Sequence, residues 1–192
     1  MQNNDLREQI LERAIELTAK HGFRKTSLNE IARACGKKKS TLYHYFSSKD
    51  ELIEAVINTQ INRVETIILK AVNSVEPADE KLLVYCKTRI KLLFEIASNF
   101  ATFREDYLDE HSFIEKMRER YDIDEMRMIK SILLLGIEQG IFRDLGDPDE
   151  VAEAFVIAMK GYEYRWAIES DRGRLIKKVE KMMDILFVGI KA

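Results

Sequence analysis

Apolar side chains return every three or four positions along nearly all of the chain. Leu28, Ile31, Ala32 and Cys35 follow that spacing, as do Phe155, Val156, Met159 and Tyr162, and then Val179, Met182, Met183, Leu186 and Phe187. A repeat near 3.6 gathers apolar groups on one side of a helix, whereas a half-buried strand needs strict alternation. Sustained alternation is absent, and both prolines, Pro77 and Pro148, stand outside the periodic runs. The pattern predicts an all-α chain with helices over 5–21, 27–35, 39–45, 48–73, 78–102, 104–120, 122–140, 148–169 and 172–190.

The ends of these runs carry their own signals. A short oxygen-bearing side chain followed three residues later by Glu can close a capping box. Asp5 and Glu8, Ser27 and Glu30, Ser48 and Glu51, Asp122 and Glu125, and Asp147 and Glu150 all have that spacing. Pro148 falls at a first helical position, where its missing N–H costs nothing. Gly22, Gly36 and Gly140 fall where a left-handed C-cap belongs. Two short helices near the N-terminus precede two long ones, so a small, tightly turned unit is expected to join a larger bundle. The expected boundary gives domains of 1–49 and 50–192.

Composition narrows the class. The 192 residues are 46% hydrophobic and 33% charged, the balance of a globular protein with a substantial core. Two cysteines, Cys35 and Cys86, make neither a disulfide framework nor a zinc site. The N-terminus lacks the apolar stretch of a secretory signal, and no run is long and apolar enough to span a membrane. A cytoplasmic location is the expectation. No Gly-rich phosphate loop, HExxH or GxSxG motif is present, so neither enzymatic activity nor a cofactor is expected. Asp106, Asp109, Glu110 and His111 lie close enough in sequence to raise a metal site. A short run without a ligand from another helix reads instead as a solvated face, and no metal is expected.

Charge adds an asymmetry. The net charge of -2 combines +4 over residues 1–50 with -6 over the remainder. A basic head on an acidic body suggests an anionic partner for the head. Within the head, SLNEIARACG and STLYHYF read as two short helices joined by the tight turn of Gly36, Lys37, Lys38 and Lys39. That is a helix-turn-helix pattern, whose second helix enters the major groove of DNA. Lys37, Lys38 and Lys39 suit phosphates or guanine acceptors, and Ser40 and Thr41 suit bases or phosphate oxygens. Tyr43 and His44, one turn on, suit the DNA backbone. Lys49 opens the next helix, whose N-terminal N–H groups also suit a phosphate.

The stretch TSLNEIARACGKKKSTLYHYFSSKDELIEAVI resembles the N-terminal domain of the tetracycline-repressor (TetR) family of transcriptional regulators, with TLYHYFSSKDEL as its most characteristic part. The likeness covers roughly residues 5–57. A looser one covers GIEQGIFRDLGDPDEVAEAF at 136–155. The resemblance implies a three-helix DNA-binding domain with a recognition helix near 38–45, and a C-terminal helical bundle for dimerisation and ligand binding. It implies DNA contacts from Ser27, Asn29, Lys38, Lys39, Ser40, Thr41, Tyr43, His44 and Lys49, with Leu42, Tyr45 and Phe46 packing the unit. Lys37 stands where the family usually has a small apolar residue. Either its stem covers the same apolar site or the turn is shifted by one residue.

For the body, the resemblance implies a homodimer built on the last two helices, with Phe155, Met159, Val179, Met183, Leu186 and Phe187 as interface candidates. It also implies a small-molecule pocket. Cys86, Ile90, Phe94, Phe103, Tyr107, Phe113, Met117, Tyr121, Tyr162 and Trp166 are its candidate lining, and their apolar character points to an apolar or aromatic effector. The expected function is a ligand-responsive regulator, a repressor on a palindromic operator. The alternative is a helical binding or scaffold protein that no longer binds DNA.

Overall fold

The computed structural model describes residues 2–99, 111–168 and 172–191, apart from the side chains of residues 2–4, 111–113, 164–168, 172 and 175. Among the described residues it contains α1 (Gln2–His21), α2 (Leu28–Ala34), α3 (Lys39–Leu42), α4 (Lys49–Asn73), α5 (Ala78–Asn99), α6 (His111–Glu138), α7 (Pro148–Ile168) and α8 (Arg172–Ile190). Among the described residues the one β-bridge pairs Phe142 with Lys191. No helix among these residues is long and apolar enough to cross a membrane. The chain divides into two compact units, 1–62 with 95–117 and 63–94 with 118–192.

The first unit packs α1, α2, α3 and the start of α4 around Ile10, Ala14, Leu28, Ile31, Ala32, Leu42, Phe46, Leu52 and Val56. These positions are the apolar stripes of the four helices, so one small core fixes the turn between α2 and α3. The guanidinium of Arg7 lies 4.9 Å from the centre of the Phe46 ring and caps that core from outside.

The second unit is held by longer helices. Its apolar core includes Ile68, Leu82, Tyr85, Cys86, Ile90, Ile129, Met159, Val179 and Met183. The end of α6 shows how sequence shapes it. Gly140, at φ +69°, turns the chain, and the N–H groups of Ile141 and Phe142 both donate to the Gly136 carbonyl. Phe142 folds back so closely that a Cβ on Gly136 would lie 2.0 Å from its ring. Only glycine fits at 136, which explains the GIEQGIF spacing physically.

Three sequence expectations are corrected. Residues 111–138 form one helix, whereas a break was expected near 121. Asp122 is therefore not an N-cap, and its carboxylate accepts a 2.7 Å bond from Lys160 Nζ. No glycine or proline interrupts 111–135, and Arg118, Tyr121, Glu125, Ile129 and Ile132 form a continuous buried face that carries the helix through. The first helix begins at Gln2, ahead of Asp5. The third is α-helical only over Lys39–Leu42, after which His44 and Tyr45 N–H groups bond three residues back.

Candidate functional site

The helix-turn-helix is fixed at both ends of α2. Ser27 is its N-cap, with the Ser27 N–H and hydroxyl donating to Glu30 Oε2 at 2.9 and 2.8 Å and the Glu30 N–H returning to Ser27 Oγ at 3.3 Å. These bonds from Ser27 hold the Glu30 carboxyl below its ordinary range. At the other end Gly36 has φ +64°. Its N–H donates to Arg33 O at 3.0 Å, and the Lys37 N–H donates to Ala32 O at 2.8 Å. That pair of bonds is the Schellman arrangement with Gly36 at its left-handed position. The turn is therefore unshifted, and Lys37 is exposed beside it.

One turn of α3 then sorts its side chains. Leu42 is fully buried and Phe46 is 1% exposed, while Lys39, Ser40, Tyr43 and His44 face outward and Thr41 is half-buried. Lys38 is the extended N-cap residue, and Lys39 Nζ lies 5.5 Å from the centre of the Tyr43 ring. At the start of α4, the Ser47 N–H and hydroxyl both donate to Glu51 Oε2 at 2.6 Å, and the Glu51 N–H donates to Ser48 Oγ at 3.1 Å. Lys49 Nζ donates to the Arg24 carbonyl at 2.9 Å, tying α4 to the loop after α1.

These elements surround an open concavity of about 400 Å³. Arg24, Lys25, Lys39 and Lys49 line it together with Ser27, Asn29, Tyr43, Ser47 and Ser48, and no carboxylate is among its lining residues. Four cations around hydroxyl groups suit a phosphodiester backbone. Sequence reasoning named Lys39, Lys49, Ser27, Asn29 and Tyr43 but missed Arg24 and Lys25. Their signal is the basic pair just before the Ser27 cap, which in the sequence is visible only as part of the head's charge.

The second unit contains an arrangement of a different kind. Arg89 of α5 forms ion pairs with Glu125 of α6 and, through Nε at 2.7 Å, with Glu163 of α7. Arg118 Nη1 reaches Glu163 Oε2 at 2.5 Å. Tyr85 and Tyr121 donate to Glu125 Oε1 at 2.7 and 3.1 Å. Arg89, Arg118, Glu125 and Glu163 are at most 9% exposed. Burial works to raise the Glu163 carboxyl, but Arg118 and Arg89 outweigh it and take it from 4.5 to about 2. Burial pushes the Cys86 thiol up to about 12, leaving an inert sulfhydryl 3.4 Å from Met183 Sδ.

Residues 10–56 match the sequence model of bacterial regulatory proteins of the tetR family. A crystal structure of a transcriptional regulator from Cytophaga hutchinsonii superposes with a TM-score of 0.80 at 29% identity, over 96% of this chain and 98% of that one. Residues 10–56 thus carry the N-terminal domain of the tetR family. The regulator TtgR of Pseudomonas putida is 25% identical to this chain over 94% of it and 89% of the relative. A Bacillus subtilis regulator, YerO, is 26% identical over 80% of this chain and 54% of its own length. The chain thus spans about half the length of the curated relatives it matches first.

The family's implied pocket and interface residues separate on inspection. Cys86, Ile90, Phe94 and Tyr121 are buried, Met117 and Tyr162 are half-buried, and Cys86, Ile90 and Tyr121 lie within a turn of the ionic network. Phe103 and Tyr107 lie outside the described residues, as do the side chains of Phe113 and Trp166 and the residues raised for a metal, 106, 109 and 110, with the His111 side chain. Among the interface candidates, Met159, Val179 and Met183 are at most 2% exposed and Phe155 is 9% exposed. Within the single chain they pack into the core of their own unit. Among the described side chains of α7 and α8, the large apolar groups left outside are Ile157, Ile185 and Val188, with Leu186 and Phe187 half-buried.

Sequence reasoning also missed Arg89, Arg118, Glu125 and Glu163. The usable signal was an ionisable residue in an apolar register. Arg89 continues the stripe of Leu82, Tyr85 and Cys86, and Glu163 continues that of Phe155, Val156 and Met159.

Proposed function

We propose that this protein is a ligand-responsive repressor that binds a palindromic operator as a homodimer and is released by a small effector held in its bundle. The observation that carries the DNA-binding part is the concavity of Arg24, Lys25, Lys39 and Lys49, lined without a carboxylate and bordered by the outward face of α3. In this reading the cations and the N-terminal hydroxyl groups of α2 and α4 grip phosphates. Lys38, Lys39, Ser40 and Thr41 then meet base edges, and Tyr43 and His44 lie on the backbone. Lys37 beside the turn adds a further phosphate contact.

One helix-turn-helix reads half a two-fold site, so two heads about 34–36 Å apart are required for a full one. Ile157, Ile185 and Val188 support a two-fold contact between copies of α7 and α8. Effector binding weakens the operator complex only as far as it favours the dimer arrangement that misaligns the heads.

The test is fluorescence anisotropy on DNA taken from upstream of the protein's own gene, at rising salt. The expected result is sequence-selective binding that falls steeply with salt, as several phosphates release counterions. Binding that is flat with salt, or equal on unrelated DNA, overturns the reading.

A further inference from the structure

The helix-turn-helix unit has a second concavity, of about 260 Å³. Phe23, Ile53, Ile57 and Ile114 give it an apolar lining, and Arg24, Lys49 and Asp50 a polar one. All of them belong to the first compact unit. Ile53, Ile57 and Ile114 are at most 8% exposed, so the apolar lining is recessed. The loop after α1 is fixed at its base. The Gly22 N–H donates to Thr18 O at 2.9 Å, and the Thr26 N–H and hydroxyl donate to the Gly22 carbonyl at 3.2 and 2.8 Å. These bonds hold the backbone of Phe23 and Arg24 before any ligand arrives. Arg24 and Lys49 also line the concavity beside α3, so the same two cations serve both.

We infer that this second concavity binds a small amphiphilic carboxylate, one acidic group on an apolar body, and that the bound carboxylate draws Arg24 and Lys49 away from DNA phosphates. The inference rests on the DNA-binding reading and adds a release route inside each head, separate from any effector in the bundle. Among the described lining residues, two cations stand against one carboxylate, Asp50. A single ligand anion balances that excess, and a ligand cation would add to it. Arg24 and Asp50 are both exposed and screened by water, which leaves the half-buried Lys49 as the main anchor. Its ammonium has three donors, and the 2.9 Å bond to the Arg24 carbonyl uses one. A charge-assisted bond to a carboxylate is stronger than one to a neutral hydroxyl, which favours an acid over its alcohol. The volume lies below the range of about 300–1,000 Å³ for drug-sized ligands, so the apolar body is a short chain or a single ring. Phosphate contacts carry no sequence information, so competition for these cations weakens binding to every duplex and lowers the salt slope.

The experiment is fluorescence anisotropy on the full chain with octanoate, octanol and octylammonium at constant ionic strength, using the whole operator and a duplex carrying one half-site. Octanoate should weaken binding to both duplexes by about tenfold and lower the salt slope. Octanol and octylammonium at the same concentration should change it by less than about twofold. Weakening confined to the whole operator means that the ligand misaligns two heads from the bundle. That result overturns this inference and leaves the effector in the bundle standing, and no effect of octanoate on either duplex overturns the inference as well. Absence of sequence-selective binding before any ligand is added fails the DNA-binding reading instead. Titration calorimetry without DNA then tests the cavity, comparing the unaltered chain with Lys49→Met, which keeps the apolar stem and loses the charge. The unaltered chain should prefer octanoate to octanol by about tenfold and the variant should not, and a preference surviving in the variant overturns the inference. Ile57→Phe fills the apolar part of the cavity without touching a cation. It should keep ligand-free DNA binding within about twofold and abolish the octanoate effect, and an undiminished effect overturns the inference. If that variant does not fold, Ile114→Phe fills the cavity from α6, and if neither folds, the two duplexes with the unaltered protein decide alone.

Discussion

The helix-turn-helix unit and the bundle place their charges in opposite ways. In the first, the nine residues of the core cluster are all apolar, and the cations Lys37, Lys38 and Lys39 stand outside it. In the second, two arginines and two glutamates lie inside, pairing α5, α6 and α7 with one another. The difference separates two uses of charge. Exposed cations act on a distant polyanion and are screened by salt. Buried charges act over one contact, tolerate no loss of a partner, and define which groups fit beside them. A damaging substitution should therefore read out differently in the two units.

The largest effect is expected in the bundle. Glu163→Leu removes the carboxylate that Arg89 and Arg118 share, leaving Arg89 with Glu125 and Arg118 with Asp122 alone, and breaking a buried pair in this way costs about 3–5 kcal/mol. Urea denaturation of the full chain should show the loss. The same carboxyl gives an acid signature. Its pKa in the folded chain is about 2 against 4.5 for the free group, so its stabilisation is complete above 4.5 and fades as the pH falls towards 2. Over that window the variant should lose stability less steeply than the unaltered protein. A parallel acid limb in both would mean that Glu163 is not held ionised by its arginines.

Leu42→Ala makes the matching break in the head. It removes apolar volume from a fully buried position and leaves a cavity, at a cost of about 2–5 kcal/mol. No charge is orphaned, so this loss should be nearly independent of pH in the acid range. An acid-dependent loss for Leu42→Ala would erase the contrast between the two units.

The head was the more legible unit in the sequence. Its signals are local: the Ser27–Glu30 box, the Gly36 turn and the outward lysines each occupy a few consecutive residues, and each recurs in the structure as hydrogen bonds or exposure. The bundle's chemistry depends on partners far apart in the chain, such as Arg89 with Glu163, which no local pattern links. The D-x-x-E spacing at Asp122 and Glu125 has the form of a capping box but lies inside one helix, because a capping pair and a buried ion-pair partner share the same residue types. The apolar stripes of α7 and α8 likewise reveal helices without revealing whether a stripe meets its own unit or a second copy.

A smaller effect is expected at the outward face of α3. Lys39→Ala leaves no cavity, and operator affinity should fall by about 1–3 kcal/mol while the denaturation midpoint stays put. Anisotropy with operator and scrambled DNA separates the roles. A base contact weakens operator binding alone, and a phosphate contact weakens both and lowers the salt slope. Unchanged binding to both would remove Lys39 from the interface.

The smallest effect concerns Ser27, which caps α2 and also lines the cationic concavity. Ser27→Ala removes the cap and should cost the head about 1 kcal/mol. It cannot by itself separate capping from DNA contact, because both are lost. Ser27→Asp does. Aspartate can accept the Glu30 N–H as serine does, and its charge is favourable at the positive end of the helix, but it cannot donate to Glu30 Oε2 and stands against that carboxylate. The same carboxylate enters a concavity whose lining has no acid, so it should repel a phosphate there and oppose the four cations that line the site. The expected outcome is a stability no lower than that of Ser27→Ala, about 1 kcal/mol below the unaltered protein, together with binding to operator and scrambled DNA alike that is weaker than that of Ser27→Ala. Denaturation and anisotropy on one preparation check it. If Ser27→Asp keeps full affinity at low salt, where repulsion is strongest, the phosphate does not pass Ser27 and the DNA backbone must follow the other rim of the concavity, along Lys39 and Tyr43.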